Sequence, residues 1–247
     1  MEPSEYRTIF SVEDRHWWYA GMRRITVALL AETYGGRTDL DILEAGSGTG
    51  AAMRYLARFG RVTGIDFSPL ALDFCREREL TRLGRASVTA LPFVDGSFDL
   101  VTSFDVLYHR AVGDYHDALR EFNRVLRPGG RVLLRLPAYD RLRGHHDTVI
   151  HTARRFSRNG LVASLRATGF AVERATYANA LLFPPAVAKR LLEPLLPRGD
   201  PGHSDVAPNP PWLDESLAAV LGLEARWLRR RDLPFGLTVV ALARKPV

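Results

Sequence analysis

The chain is poor in sulfur, in lysine and in long apolar runs. It has one cysteine, Cys75, among 247 residues. No internal disulfide can form, which excludes the small secreted classes held together by cystines. No apolar stretch nears the roughly 20 residues that cross a bilayer, so no transmembrane segment is expected. The opening residues, Met1-Glu2-Pro3-Ser4-Glu5-Tyr6, lack the basic-then-apolar order of a secretory leader. Together these absences set the expectation of a cytoplasmic protein. Cys75 lies in a helix-prone run and reads as a buried structural thiol. Lysine occurs only at Lys189 and Lys245, so arginine carries the net charge of +6. The arginines are dispersed, apart from Arg141-Leu142-Arg143, Arg154-Arg155 and Arg229-Arg230-Arg231. Scattered arginines read as solvated faces, so no nucleic-acid partner is expected. One cluster could still meet a phosphate or carboxylate on a substrate.

What the chain does have is a glycine bend. Apolar residues account for 46% of the sequence, enough to fill the core of one large domain. Within it, Asp41-Ile42-Leu43-Glu44-Ala45 runs into Gly46-Ser47-Gly48-Thr49-Gly50, and a helix-prone run starts at Ala51. That order reads as strand, tight turn and helix N-terminus. Glycines there tolerate positive φ and lack Cβ atoms, so a ligand can lie against bare backbone. Free N–H groups at the helix start favour a polar or anionic ligand group. A second apolar run, Val62-Thr63-Gly64-Ile65, ends in Asp66, which lies 66 − 46 = 20 residues after Gly46. An acid at that strand tip can accept hydrogen bonds from both hydroxyls of a ribose. The site therefore suits an adenosine-type cofactor at the carboxyl ends of parallel strands.

Gly46-x-Gly48-x-x-Ala51 also meets the relaxed NAD fingerprint. Glu44 weighs against it, because its charge would repel a pyrophosphate and suits a cationic ligand. Two further stretches bear on the choice. One is Leu91-Pro92-Phe93-Val94-Asp95-Gly96-Ser97-Phe98-Asp99; the other is Leu126-Arg127-Pro128-Gly129-Gly130. As a set, these motifs resemble the class I S-adenosylmethionine-dependent methyltransferases, in particular the large bacterial group that carries E-x-G-x-G-x-G, L-P-F-x-D-x-S-F-D and L-x-P-G-G. The resemblance covers roughly residues 40–137 and continues more loosely to the C-terminus.

The resemblance implies an α/β, Rossmann-like, doubly wound sheet of seven strands, mostly parallel with an antiparallel last strand. The residues agree with alternating elements. Ser68-Pro69 starts a helix, Phe98–Phe104 reads as strand four and Ala111–Leu126 as the helix after it. Arg131–Leu136 reads as strand five, and Ser157 caps a helix through Ala167. Phe170–Tyr177 reads as strand six, Trp212–Trp227 as a helix, and Leu233–Ala243 as the last strand. Residues 1–36 are expected to form an N-terminal helical lid, with helix from Arg23 to Tyr34. Residues 37–247 are expected to form the cofactor-binding domain, with a cap or insertion at about 138–160 and 180–230. Asn209-Pro210-Pro211-Trp212 matches a motif of nucleic-acid base amino-methyltransferases. It follows no strand, so it reads as a chance match in a loop.

Cofactor contacts implied by the resemblance are Glu44, Gly46, Ser47, Gly48 and Gly50 for the methionine part and Asp66 for the ribose. Phe67 is implied beside the adenine, backbone at Thr89, Ala90 and Leu91 at its edge, and Phe104 and Asp105 facing the cofactor. The family often has an acid just upstream of L-P-F where this chain has Ser87. Candidates for acid–base chemistry are His109, after strand four, and the cluster His146, Asp147 and His151, after strand five. His-Asp-x-x-x-His is too weak a pattern to predict a metal site. Candidates for substrate contact are Trp17, Trp18, Tyr19, Tyr108, Tyr139 and Arg155. Three consecutive aromatics cannot share one face of a helix, so at least one is expected to meet a ligand or partner. The apolar stretch at Ala180-Leu181-Leu182-Phe183 reads as a packing helix, a lid, a dimer surface or a membrane-touching edge.

The expected activity is methyl transfer to oxygen or nitrogen of a small molecule, such as a secondary metabolite or a sugar- or lipid-linked intermediate, by a monomer or homodimer. Its rivals are non-methylation chemistry in the same pocket, such as cyclisation, a NAD(P)-dependent oxidoreductase, and a non-catalytic binding protein.

Overall fold

The computed structural model describes residues 2–144, 147, 150–192 and 209–247. The chain opens with helices α1 (Pro3–Val12) and α2 (Trp17–Tyr34). Helix α2 begins six residues earlier than its apolar periodicity suggests. His16 supplies the cap, its Nδ1 accepting from the Trp18 N–H at 3.3 Å, so the three aromatics form the first turn. Gly35, at φ 58°, closes the helix.

Next come β1 (Leu40–Ala45), α3 (Ala51–Leu56), β2 (Gly60–Asp66), α4 (Pro69–Glu77), β3 (Leu83–Arg85) and β4 (Phe98–Phe104). Ser68 caps α4 as expected, accepting from the Ala71 N–H at 3.4 Å, with Pro69 in the first helical position. The helix expected over Ala111–Leu126 is shorter. Arg110–Val112 is a single 3-10 turn, Gly113 turns at φ 63°, and Asp114 caps a fresh start at α5 (Tyr115–Val125). Then follow β5 (Leu126–Pro137), α6 (Arg158–Ala167), β6 (Ala171–Ala178), α7 (Phe183–Leu192), α8 (Pro211–Leu228) and β7 (Thr238–Arg244).

The seven strands form one sheet in the order β3-β2-β1-β4-β5-β7-β6. β1, β2, β3, β4 and β5 pair in parallel, and β7 inserts antiparallel between β5 and β6. This is the expected doubly wound, Rossmann-like α/β sheet. The chain steps outward from β1 to β3 and then returns to lay β4 against the other side of β1. That reversal opens a crevice at the carboxyl ends of β1 and β4, where α/β sheets bind ligands.

Alternation in the strands sends one set of side chains to each layer. Leu43, Ala45, Val101, Val132 and Leu134 pack under α5 and α6. Leu40, Ile42, Leu100, Leu133 and Val240 pack under α2 and α8. Both layers are sealed from water, which is why β1 reads as an almost continuous apolar run. α2 and α8 lie against each other at Gly21. A Cβ there would come within 2.3 Å of the Leu221 side chain, so glycine sets how closely the helices approach.

Candidate active site

A cavity of about 1070 Å³ opens at the crevice. Its lower half is built from the ends of β1, β2 and β4. Its upper half is built from α1, α2, α7, α8 and the segments after β4 and β5.

In the lower half the three motif glycines have three different tasks. Gly46 sits at φ 98°, and a Cβ there would come within 2.2 Å of Val106, so it lets the β1 turn pass the β4 turn. Gly50, at φ 90°, abuts Leu80 and Cys75 and serves packing; it does not line the cavity. Gly48, at φ 52°, has open space where a Cβ would stand and lines the cavity. It is the position where ligand can rest on bare backbone. Beneath it Cys75 is fully buried and donates to the Gly48 carbonyl oxygen at 3.3 Å, and burial pushes its thiol up to about 11. It is a structural thiol, as expected.

Glu44 is 1% exposed yet lines the cavity. The Thr102 hydroxyl donates to its carboxylate. Burial pushes Glu44 up to about 8, against the opposing pull of Thr102 and Arg135. Beside it, Asp105 holds the left-handed backbone at φ 56° and accepts from Arg135 Nε at 2.8 Å. Burial raises Asp105 above the usual carboxylate range, and Arg135 counteracts this. The Arg135 guanidinium lies over the rings of Phe104, at 4.7 Å, and Trp18, at 5.0 Å. The floor thus holds two carboxylates and one guanidinium. With Glu44 protonated these charges balance, and once Glu44 ionises one positive charge is wanting, which a cationic ligand would supply.

Asp66 lines the cavity with its carboxylate drawn toward the glycine bend. Its oxygens accept from the Gly48 and Ser68 N–H groups, each at 2.9 Å. Each oxygen keeps a second lone pair, so both ribose hydroxyls can still be received. Phe67 is 65% exposed beside it and flanks the same opening. The expectation of adenine contacts at Thr89, Ala90 and Leu91 is corrected. Ser87 forms a turn in which its Oγ accepts from the Thr89 N–H at 3.2 Å, and the Leu91 N–H is taken by Glu121 at 2.7 Å. Ala86, Ser87 and Val88 line the cavity, and Thr89, Ala90 and Leu91 do not.

Over this half lies the N-terminal segment. Glu13 is buried, and its Oε1 accepts from Thr49 Oγ1 and, at 2.8 Å, from Arg78. Arg78 also donates to the Thr49 carbonyl oxygen and to Asp14, both at 2.9 Å. One buried ion pair therefore ties the end of α1 to the glycine bend. The sequence reading missed Glu13 and Arg78, which lie far apart in the chain. It also missed Arg135, although a charge interrupting the apolar run Val132-Leu133-Leu134-Arg135-Leu136 was a visible signal.

The upper half is mostly apolar. Trp17, Trp18 and Tyr19 all line the cavity, together with Tyr108, Leu182, Pro185 and Leu217. Tyr139 does not; at φ 56° its ring stacks on Tyr177, 5.2 Å away. Arg155 reaches the cavity wall with its charge already matched. It grips Asp147 with two hydrogen bonds of 2.9 Å. Asp147 is buried; burial alone would raise it, but Arg155 and the Gly144 N–H hold it below the usual range. Among the described residues it orients an arginine. His146 lies outside the described residues.

His109 and His151 come together, ring centres 5.7 Å apart, but only His109 lines the cavity. His151 bonds Glu2 at 3.0 Å from the far side. His109 Nδ1 accepts from the Ala111 N–H at 3.1 Å. In the neutral ring the proton therefore sits on Nε2, which makes that nitrogen a donor. Burial pushes His109 down to about 4, helped by His151 and Arg110. A neutral, weakly basic imidazole is a poor general base. Outside the cavity, Asp114, His116 and Ser164 stand at triad distances of 2.7 and 3.2 Å. Ser164 is buried and does not line the cavity.

Three comparisons agree with this geometry. Residues 43–134 match the family model described as a methyltransferase domain. A demethylmenaquinone methyltransferase of Tropheryma whipplei (strain Twist) is 37% identical over 129 residues, covering 50% of this chain and 48% of that protein. The match thus spans about half the length of that curated relative. Among solved structures, an S-adenosylmethionine-dependent methyltransferase from Thermotoga maritima shares 18% identity at a TM-score of 0.59, covering 98% of this chain and 95% of its own. The [4+2]-cyclase SpnF shares 22% identity at a TM-score of 0.56, covering 90% and 81%. The two structures speak for the fold alone. Residues 43–134 match a methyltransferase domain, and the sheet that surrounds them is similar in fold to a solved S-adenosylmethionine-dependent methyltransferase.

Proposed function

We propose that this chain transfers a methyl group from S-adenosylmethionine to an uncharged, largely apolar small molecule. The observation that carries the reading is the junction of the two halves: a carboxylate-rich floor under an open glycine, facing an apolar chamber whose arginine is already paired. When bound, the cofactor supplies an activated, electrophilic methyl group. Glu44 is placed to face its cationic end, Gly48 to give it backbone, and Asp66 to receive the ribose hydroxyls. Phe67 and the segment Ala86–Val88 flank the adenine region. Trp18, Tyr19 and Tyr108 wall the passage to the acceptor, and α1 with the start of α2 acts as its lid.

His109 serves as a hydrogen-bond donor that orients the acceptor, and no residue is asked to remove a proton. Alignment of the two reactants is then the main source of rate, on the order of 7–11 kcal/mol. The name of the Tropheryma relative, which specifies demethylmenaquinone, favours the same apolar acceptor class.

The test is calorimetric and chemical. S-adenosylhomocysteine should bind and NADH should not; tight NADH binding overturns the reading. With acceptor, S-adenosylhomocysteine should accumulate one-for-one with a methylated product. Acceptor consumed without it would assign the pocket to cyclisation or another non-methyl reaction.

A further inference from the structure

Helix α8 is apolar on two opposite faces. Its inner face, Ala218, Leu221, Ala225 and Leu228, is buried in the layer shared with α2. A surface helix ordinarily turns a charged face to water. Here the outer face carries Trp212, Leu223 and Trp227, which are 67%, 57% and 53% exposed. At 3.6 residues per turn these three fall within about 60° of one another, with Ser216 in the same arc and Ala219 and the exposed Glu215 on its flank. At the end of the same helix stand Arg226, Arg229, Arg230 and Arg231, all exposed. Arg231 lies over the Trp227 ring at 5.7 Å.

We propose that this face is a docking surface for an anionic lipid bilayer. Tryptophan and leucine set beside arginines is the chemistry of the membrane interface: the rings enter the headgroup–acyl boundary and the guanidiniums meet lipid phosphates. The net charge of +6 acts in the same direction. No helix among the described residues is long and apolar enough to cross a membrane, so the attachment is peripheral. The helix also supplies Leu217 to the apolar half of the cavity. Docking along its outer face therefore brings that chamber to the bilayer surface. Four exposed arginines at one end against one exposed acid, Glu215, near the other favour lipid over a second copy of the chain, because a two-fold stack would leave most of the guanidiniums unmatched.

The experiment is co-sedimentation of the full chain with vesicles of phosphatidylcholine alone, or with phosphatidylglycerol added. The expected result is binding to the anionic vesicles that weakens as salt is raised, with little binding to the neutral ones. Trp212→Ser/Leu223→Ser/Trp227→Ser and, separately, Arg226→Gln/Arg229→Gln/Arg230→Gln should each lower partitioning about tenfold or more. Both variants should keep wild-type affinity for S-adenosylhomocysteine, which certifies the fold. If the aromatic variant misfolds, the arginine variant alone decides. The proposal is overturned by equal binding to neutral and anionic vesicles or by variants that bind as well as wild type. It is also overturned by a dimer in sedimentation that the aromatic changes dissolve while vesicle binding is absent. Equal affinity for a single-stranded oligonucleotide would reassign the patch to general polyanion binding.

Discussion

The two halves of the cavity were built by different means. The lower half is local: Glu44, Gly46, Gly48 and Asp66 come from two successive strand–turn–helix units, and each turn carries its own instruction. The upper half is assembled from α1, α2, α7, α8 and the segments after β4 and β5, whose residues are remote in sequence. The lower half is polar and, once Glu44 ionises, short of one positive charge; the upper is apolar with its charges matched. The lesson is that cofactor chemistry is written in short motifs, and acceptor chemistry is written in which remote segments happen to meet.

That contrast can be broken first by unpairing the upper half. Arg155→Ala leaves Asp147 buried without its partner and should cost about 3–5 kcal/mol of stability, read as a large drop in thermal midpoint. Adding Asp147→Asn should recover part of it. If Arg155 instead holds an anionic acceptor, KM rises and stability does not move. In the lower half, Asp66→Ala removes the carboxylate that the ribose needs. It should weaken S-adenosylhomocysteine binding by about 2–3 kcal/mol, or roughly 30- to 150-fold. Thr89→Ala, outside the cavity, should leave affinity within about twofold.

The glycines sharpen the comparison within one turn. Gly50→Ala meets Leu80 and Cys75, so it should lower stability. Gly48→Ala has room in the ligand-free protein but carries a left-handed backbone, a strain of about 1–2 kcal/mol. It should lower cofactor affinity more than Gly50→Ala does. Equal effects on folding and binding would erase the division of labour.

Glu44 gives a pH signature. Its folded value near 8 lies above its ordinary 4.5, so the folded, ligand-free protein binds the extra proton. Stability of the ligand-free protein therefore falls as pH rises from about 4.5 to about 8, and is level above. A cationic ligand favours the ionised form, so binding at pH 7 should release about one proton. Calorimetry in two buffers of different ionisation heat measures it. Glu44→Gln should bind without that release. The smallest effect is expected at His109. His109→Gln keeps a donor and should lower kcat less than about tenfold, because loss of a true base costs about 10²–10⁴-fold. The wild-type rate should show no step between pH 6 and 7 assignable to this ring.

These expectations show where the sequence was readable. The succession of strands and helices followed from alternating patterns, the antiparallel last strand from the resemblance, and Ser68, Ser157 and Gly35 marked helix ends through local capping chemistry. Glu44 and Asp66 stood where strand ends place acids. Thr89, Ala90 and Leu91 were misplaced because Ser87 starts a turn whose direction depends on Glu121, thirty residues away. Tyr139 was misplaced because a positive φ at one residue decides which wall its ring joins. The state of His109 was not readable at all, since it depends on one backbone N–H, from Ala111, and on burial.

The carboxylate of Glu13 answers to two masters. It seats the first helix of the chain, and it is bonded to Thr49, the neighbour of Gly48, whose Cβ position is open. If α1 is the lid proposed above, lifting it strips that oxygen of both its donors at once, and the bend loses its brace in the same stroke. On that reading, admission of one reactant and the grip on the other are mechanically geared. A chain shortened past Asp14 would leave the guanidinium of Arg78 with the Thr49 carbonyl but neither of its carboxylates.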